Sequence, residues 1–179
     1  DLGESIENVA ELDVGFLRVA EYGIELPERV VFSVSDDGCG MTPEKLKMVT
    51  DPFFTSRTTR KVGLGIPLLK MLCEQTGGHM SITSVSEQLD KQHHGTVTTA
   101  LFYKNHIDFL PLGDIVSTVT TFIQGSPDIE LVYSHSLPDG RVVELDTREL
   151  KEVLGDVPLS SPEVIIWIKE FLSDQYTKR

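Results

Sequence analysis

Asp36 stands two residues before Gly38 and four before Gly40 in the run Asp36-Asp37-Gly38-Cys39-Gly40. A carboxylate there can accept a hydrogen bond from the exocyclic amine of a purine, and the glycines let a flat base lie against bare backbone. A second pair, Gly63-Leu64-Gly65, opens an apolar periodic stretch. Backbone N–H groups at a helix start form an anion site, and glycine permits a phosphate to come close. Between the two pairs, Thr55 to Val62 is polar and basic, with Arg57, Arg60 and Lys61 able to make charge-assisted contacts to phosphate. Taken singly, these are a tight turn with a solvated Asp, an ordinary helix start and a solvated loop. Taken together, they supply a base acceptor, a phosphate cradle and neutralising cations, which is what a nucleoside triphosphate requires. The second glycine pair lacks the Lys-Ser/Thr ending of a P-loop, and its spacing does not fit a dinucleotide fingerprint.

Upstream, Glu4 and Asn8 lie one helical turn apart and share a face. A Glu there can act as a general base towards water or a hydroxyl. An Asn oxygen is a hard ligand suited to Mg²⁺ that also bridges to phosphates. On spacing alone the pair reads more readily as a solvated charged helix face.

These residues need elements to place them. Leu2, Ile6, Val9, Ala10 and Leu12 recur at helical spacing and predict a helix over about 1–12. Phe16 to Ile24 reads as a strand, and Leu26-Pro27-Glu28-Arg29 as a turn. Val30 to Val34 is a β-branched run expected as a central strand delivering Asp36 to its end. Thr42-Pro43-Glu44 is a helix start, with a capping hydroxyl and Pro at the first helical position. Gly65 to Thr76 predicts a longer helix with Ile66, Leu68, Leu69, Leu72 and Cys73 as its buried stripe, ended by Gly77-Gly78. Strands are expected at about 79–86 and 96–103, joined by the polar stretch Glu87 to Gly95. Beyond Lys104 the pattern predicts a helix from Leu112 to Ile123 and a hairpin of Ile129–Tyr133 with Arg141–Leu145. Closing helices are expected to start at Thr147 and Ser161.

With 179 residues and 40% hydrophobic content, the chain can bury one good core and a small second lobe. A formal net charge of −12 disfavours a nucleic-acid surface and an anionic membrane surface, both of which want a basic face. Two cysteines, Cys39 and Cys73, are too few for a disulfide framework or a thiolate zinc site. A reducing cytoplasmic setting is therefore expected. No apolar run reaches the roughly eighteen residues of a membrane-spanning helix, and no secretory signal is visible. Because the sequence opens at Asp1 already inside a helical pattern, further native residues are expected ahead of it.

In this order, the pieces resemble the ATP-binding domain shared by gyrase-type topoisomerases, large ATP-driven chaperones, sensor histidine kinases and mismatch-repair ATPases, the GHKL superfamily with the Bergerat fold. Glu4-Ser5-Ile6-Glu7-Asn8 looks like the N-box and Asp36 to Gly40 like the G1 box. Asp51-Pro52-Phe53-Phe54-Thr55 looks like the F-box and Gly63-Leu64-Gly65-Ile66 like the G2 box. Gly77-Gly78-His79 and the later Gly95-Thr96 resemble the closing sheet of histidine kinases. The likeness covers residues 1–103.

It implies an α+β fold: a two-layer α/β sandwich whose mixed, mostly antiparallel sheet is covered by helices, here with a small C-terminal α+β extension. Residues 1–104 would be the ATP-binding domain and 105–179 an appended lobe for interactions. By the same resemblance Asp36 would bind the adenine amine with Thr96 nearby through water. Gly38 and Gly40 would line the base pocket, and Gly63, Leu64 and Gly65 the phosphates. Phe54 and Thr55, with Arg57, Arg60 and Lys61, would close a lid over ATP. Asn8 would ligate Mg²⁺ and Glu4 would be the base.

The sequence departs from the family pattern in places. Val9-Ala10-Glu11-Leu12 replaces the small residues that usually follow the N-box Asn, and a rival register would put Asp1 and Ser5 in the two roles. Pro67 interrupts the helix after the G2 box, in the first turn, where Pro is tolerated. His93 and His94 are expected to be exposed loop residues rather than phosphate acceptors. The tail around Asp108 to Asp114 resembles those of small stand-alone histidine-kinase-like ATP-binding proteins of anaerobic bacteria. The expected activity is slow ATP hydrolysis or phosphoryl transfer to a separate protein partner. The alternative is a non-catalytic ATP-sensing module whose lid ordering controls partner binding.

Overall fold

The computed structural model describes residues 18–25, 28–51 and 64–177. In chain order these form β1 (Arg18–Glu25), β2 (Arg29–Asp36), α1 (Pro43–Met48), α2 (Gly65–Gln75), β3 (His79–Val85) and β4 (Gly95–Tyr103). There follow α3 (Ile115–Gly125), β5 (Glu130–Ser136), β6 (Val142–Asp146), α4 (Thr147–Leu154) and α5 (Pro162–Thr177). The helix expected over 1–12, with Glu4 and Asn8, lies outside the described residues. So do most of the F-box and the whole lid: Phe54, Thr55, Arg57, Arg60, Lys61 and Gly63.

The strands make one six-stranded sheet in the order β3-β4-β2-β1-β5-β6. Every pairing is antiparallel except β1 with β5. Because strand side chains alternate between faces, the register decides which residues the helices cover. Met80, Ala100 and Phe32 sit in one row across β3, β4 and β2. Continuing through β1, Phe32 is opposite Gly23, Gly23 is opposite His135, and His135 is opposite Val143. Ala100, His135 and Val143 are all buried, as are Leu131, Tyr133 and Leu145 on the same face. The opposite face is rich in hydroxyls, as in the row Ser81–Thr99–Ser33, where the Ser33 and Thr99 hydroxyls bond at 3.0 Å. One covered face and one polar face make this a two-layer α+β sandwich.

The C-terminal extension is joined to the rest through the sheet, since β5 pairs with β1. Its helices build their own core: Val119 and Ile123 of α3 and Val164, Ile168 and Leu172 of α5 cover Leu131, Tyr133, Val143 and Leu145. Local chemistry accounts for the helix starts. The Thr42 hydroxyl accepts from Lys45 N–H ahead of Pro43. Asp114 accepts from Ser117 N–H at 2.8 Å, which starts α3 at Ile115 rather than at Leu112. Asp146 caps α4 and pairs with Arg148. Leu137 to Gly140 turns the β5–β6 hairpin, with Gly140 at φ 86° and Leu137 N–H bonded to Arg141 C=O at 2.8 Å.

Candidate functional site

Asp36 ends β2, a strand paired on both sides, and sits directly opposite Thr96 of β4, which in turn is opposite Ser84 of β3. The row Ser84–Thr96–Asp36 therefore lies on the helix-covered face at one end of the sheet. Asp36 Oδ1 accepts the Gly38 N–H at 3.0 Å. Burial pushes the Asp36 carboxyl above its ordinary range, and the charge of Asp37 acts in the same direction. Hydrogen bonds from the Gly38 and Thr96 backbones work against that rise without reversing it. A half-buried carboxylate short of compensation is poised to gain from an added hydrogen-bond donor.

The loop after Asp36 is held from the β3–β4 hairpin at three points. Ser84 Oγ accepts the Met41 N–H at 2.8 Å, and Glu87 N–H donates to the Cys39 carbonyl at 3.0 Å. His94 Nδ1 lies 2.7 Å from the Gly38 carbonyl oxygen, so this nitrogen carries the proton and donates it. Ser84 Oγ is also 2.9 Å from both the Gly95 carbonyl and the Thr96 hydroxyl, tying the loop to the row beneath.

Two glycines make this close packing feasible. Gly40 has φ 61°, and a Cβ on it would fall 1.8 Å from the Val85 carbonyl oxygen. Gly95 has φ 138°, and its Cβ would fall 2.0 Å from the Asp36 carbonyl oxygen. Both contacts are with backbone and cannot be relieved by a rotamer change, so only glycine fits.

At the start of α2, Leu64 has backbone angles of −88° and −16°, no side chain among the described residues caps the first turn, and that turn holds no acidic residue. Leu64 is half exposed, and nothing lies within 4 Å of a Cβ built on Gly65. Pro67 has no N–H and that of Leu68 bonds to the Leu64 carbonyl, so Gly65 and Ile66 carry the N–H groups that, among the described residues, are left for an anion. Since α2 joins β3 through the short Gly77–Gly78 turn and packs on β3 and β4, it runs back along them. Its N-terminus faces the Asp36 end of the sheet, and its C-terminus the end where Gly78 meets the Leu101 carbonyl.

The structure therefore brings Asp36, Gly38, Gly40 and Thr96 together and aims Leu64 and Gly65 towards the same end. Glu4, Asn8, Phe54, Thr55, Arg57, Arg60, Lys61 and Gly63 lie outside the described residues. His93 is exposed, as expected, but His94 is half-buried and bonded to Gly38, which corrects its reading as an exposed loop residue. Ser84 and Gly95 were also missed as parts of the site. Gly95 carried a signal, a glycine just ahead of Thr96; Ser84 carried none, because a serine within a strand has no distinguishing neighbours in sequence.

Comparison with known proteins gives the family. The family model described as "Histidine kinase-, DNA gyrase B-, and HSP90-like ATPase" matches residues 2–106. Sensor histidine kinase ZraS of Salmonella typhimurium is 33% identical over 58 residues, 32% of this chain and 12% of that protein. Sensor kinase CckA of Brucella abortus is 40% identical over 57 residues, 30% of this chain and 6% of that protein. Sporulation kinase E of Bacillus subtilis is 35% identical over 57 residues, 32% and 8% respectively. The matched stretches thus span about a tenth of these relatives' lengths. Among solved structures, the mycobacterial sensor histidine kinase MprB aligns over 55% of this chain and 64% of its own, with 22% identity and a TM-score of 0.38. The ordered motifs, the glycine-packed loop beside Asp36 and a family match over more than half of the chain lead to one assignment: the chain belongs to the histidine kinase-, DNA gyrase B- and HSP90-like ATPase family.

Proposed function

We propose that this protein binds Mg·ATP at the Asp36 end of the sheet and either hydrolyses it slowly or passes its γ-phosphoryl group to a separate protein. The observation that carries the reading is the half-buried Asp36 carboxylate, raised by burial, beside a loop packed so tightly that only glycine fits at Gly40 and Gly95. An adenine amine donating to that carboxylate would offset its desolvation. Thr96, opposite Asp36 on the neighbouring strand, would share the amine through water. The uncapped start of α2 at Leu64 and Gly65 would take phosphate oxygens, together with Gly63. Arg57, Arg60 and Lys61, with Phe54 and Thr55, would form the closing lid.

Among the described residues no cluster of three His, Cys, Asp or Glu side chains could hold a metal ion. Mg²⁺ would be held by phosphate oxygens and the Asn8 amide, a hard-oxygen set that suits it. When bound, the ion would neutralise phosphate charge. Glu4 is proposed as the base that orients and deprotonates the acceptor. Catalysis would rest on positioning and charge neutralisation rather than covalent chemistry.

Residues 1–104 are proposed as the ATP-binding domain and 105–179 as an interaction region, in a cytoplasmic protein. No helix among the described residues is long and apolar enough to cross a membrane. One observation favours the sensing alternative: β1 lies between β2, which carries Asp36, and β5 of the extension, so one sheet links the two parts.

Calorimetry with ATP and Mg²⁺ tests the reading. Heat of binding that disappears in Asp36→Asn supports it; equal affinity in the two proteins contradicts it. Glu4→Ala then separates catalyst from sensor: lost turnover with retained affinity marks a catalyst, whereas wild-type binding without turnover in the presence of any partner marks a sensor.

A further inference from the structure

On the far side of the sheet from β3 and β4, α4 and α5 leave an open groove of about 270 Å³ between them, lined by Leu150, Val153, Leu154, Glu163, Val164 and Trp167. Its apolar rim is unusually bare: Val153 is 86% exposed and Trp167 48%. Phe171 stacks on Trp167 with ring centroids 5.0 Å apart, prolonging the apolar surface along α5 by one turn. Exposed apolar area of this kind, rimmed by polar residues, marks a contact surface.

Charge identifies the occupant. At 100° per residue, Glu163, Glu170 and Asp174 fall in the same sector of α5 as Trp167 and Phe171. None of these three carboxylates is ion-paired with another described residue. Two nearby cations are engaged elsewhere: Arg148 pairs with Asp146, and the charge of Lys169 acts on Asp114 at the start of α3. The groove is thus apolar at its floor and acidic at its edge.

Such a surface disfavours a second copy of this chain, which would set carboxylates against carboxylates on a protein of net charge −12. It disfavours an anionic membrane for the same reason. A small molecule fits poorly as well, because the volume lies below the roughly 300–1,000 Å³ of such sites and a single polar side chain lines it.

We infer that the α4–α5 groove receives a cationic amphipathic helix from a partner protein, its apolar side chains seated against Leu150, Val153, Leu154 and Trp167 and its Arg or Lys residues meeting Glu163, Glu170 and Asp174. This is helix-in-groove recognition, read through anchors one helical turn apart. It is independent of ATP binding.

Trp167 is the chain's single tryptophan, so its fluorescence reports on this groove alone. The full chain would be titrated with an 18-residue peptide carrying leucines at i, i+3, i+4 and i+7 and arginines between, and with a twin carrying glutamates instead. The expected result is a blue shift of Trp167 emission with the arginine peptide only, weakened at least tenfold by Glu163→Lys with Glu170→Lys. Val153→Asp, which leaves the protein at least as acidic, should weaken binding equally. Glu74→Lys, on α2, should change it less than twofold. Equal binding of both peptides, an arginine-peptide affinity indifferent to Val153→Asp, or a blue shift that grows with protein concentration alone and tracks dimer formation would each overturn the inference.

Discussion

His94 and Gly38, fifty-six residues apart in sequence, are joined by a hydrogen bond of 2.7 Å from the imidazole Nδ1–H to the glycine carbonyl. Gly38 donates its own N–H to Asp36 Oδ1, so the imidazole fixes the peptide unit next to the one that orients the carboxylate. His94→Ala should therefore weaken ATP binding while leaving the fold intact. A net hydrogen bond is worth about 1 kcal/mol, so a loss of roughly fivefold in affinity is expected by calorimetry. His94→Gln, which can still donate, should recover part of it.

Asp36 should cost the protein stability. A carboxyl whose folded-state pKa is raised binds its proton more readily when folded, so it penalises folding once the pH exceeds its unfolded value. The penalty fades as pH falls through the folded pKa. Asp36→Asn keeps an oxygen for the Gly38 N–H and removes the charge. It should unfold at a higher temperature than wild type at pH 7.5, with the gap closing as the pH is lowered. Affinity for ATP should nonetheless be lost, because the amide N–H₂ would face the adenine amine donor to donor.

The glycines divide into two classes. Gly40→Ala and Gly95→Ala meet backbone oxygens at 1.8 and 2.0 Å in left-handed conformations and should destabilise by more than about 2 kcal/mol in urea unfolding. Gly65→Ala meets nothing and lies in the first turn of α2. Its stability should hold or rise by up to about 1 kcal/mol. A drop in ATP affinity in this variant would then report close phosphate approach rather than misfolding.

His135 is buried in the extension, with its Nδ1 2.8 Å from the Tyr176 hydroxyl, which also bonds to the Tyr133 hydroxyl. Burial holds its pKa below the ordinary value, against a smaller opposing effect from the Glu25 charge. The unfolded chain therefore binds the proton more readily. The stabilisation is complete above the unfolded value of about 6.5 and is lost as the pH falls from there towards the folded pKa. Denaturant midpoints measured from pH 7.5 to 5 should decline across that window. His135→Gln should flatten the decline, whereas Tyr176→Phe should lower stability without removing the slope.

Local chemistry makes much of this protein legible in its sequence. A β-branched run at Val30 to Val34 has few alternatives to a strand, and Thr42-Pro43 and Gly77-Gly78 punctuate helices through backbone constraints of their own. The same holds for Asp36, Gly38, Gly40, Gly63, Leu64 and Gly65, whose order and spacing identified the family. Where a competing local signal existed it shifted a boundary, as when Asp114 rather than Leu112 started α3.

What the sequence by itself determined, then, was the set of elements and the identity of the family, because helix starts, turns and glycine motifs act over a few adjacent residues. The tertiary structure alone decided that β5 pairs with β1 to carry the extension on the same sheet. It also placed Ser84 and His94 on the Asp36 loop and left Trp167 half exposed at the α4–α5 groove. The first two depend on the register between strands far apart in sequence and the last on how α5 packs, and both are set by the burial of a whole face at once, a quantity that no short stretch of residues contains.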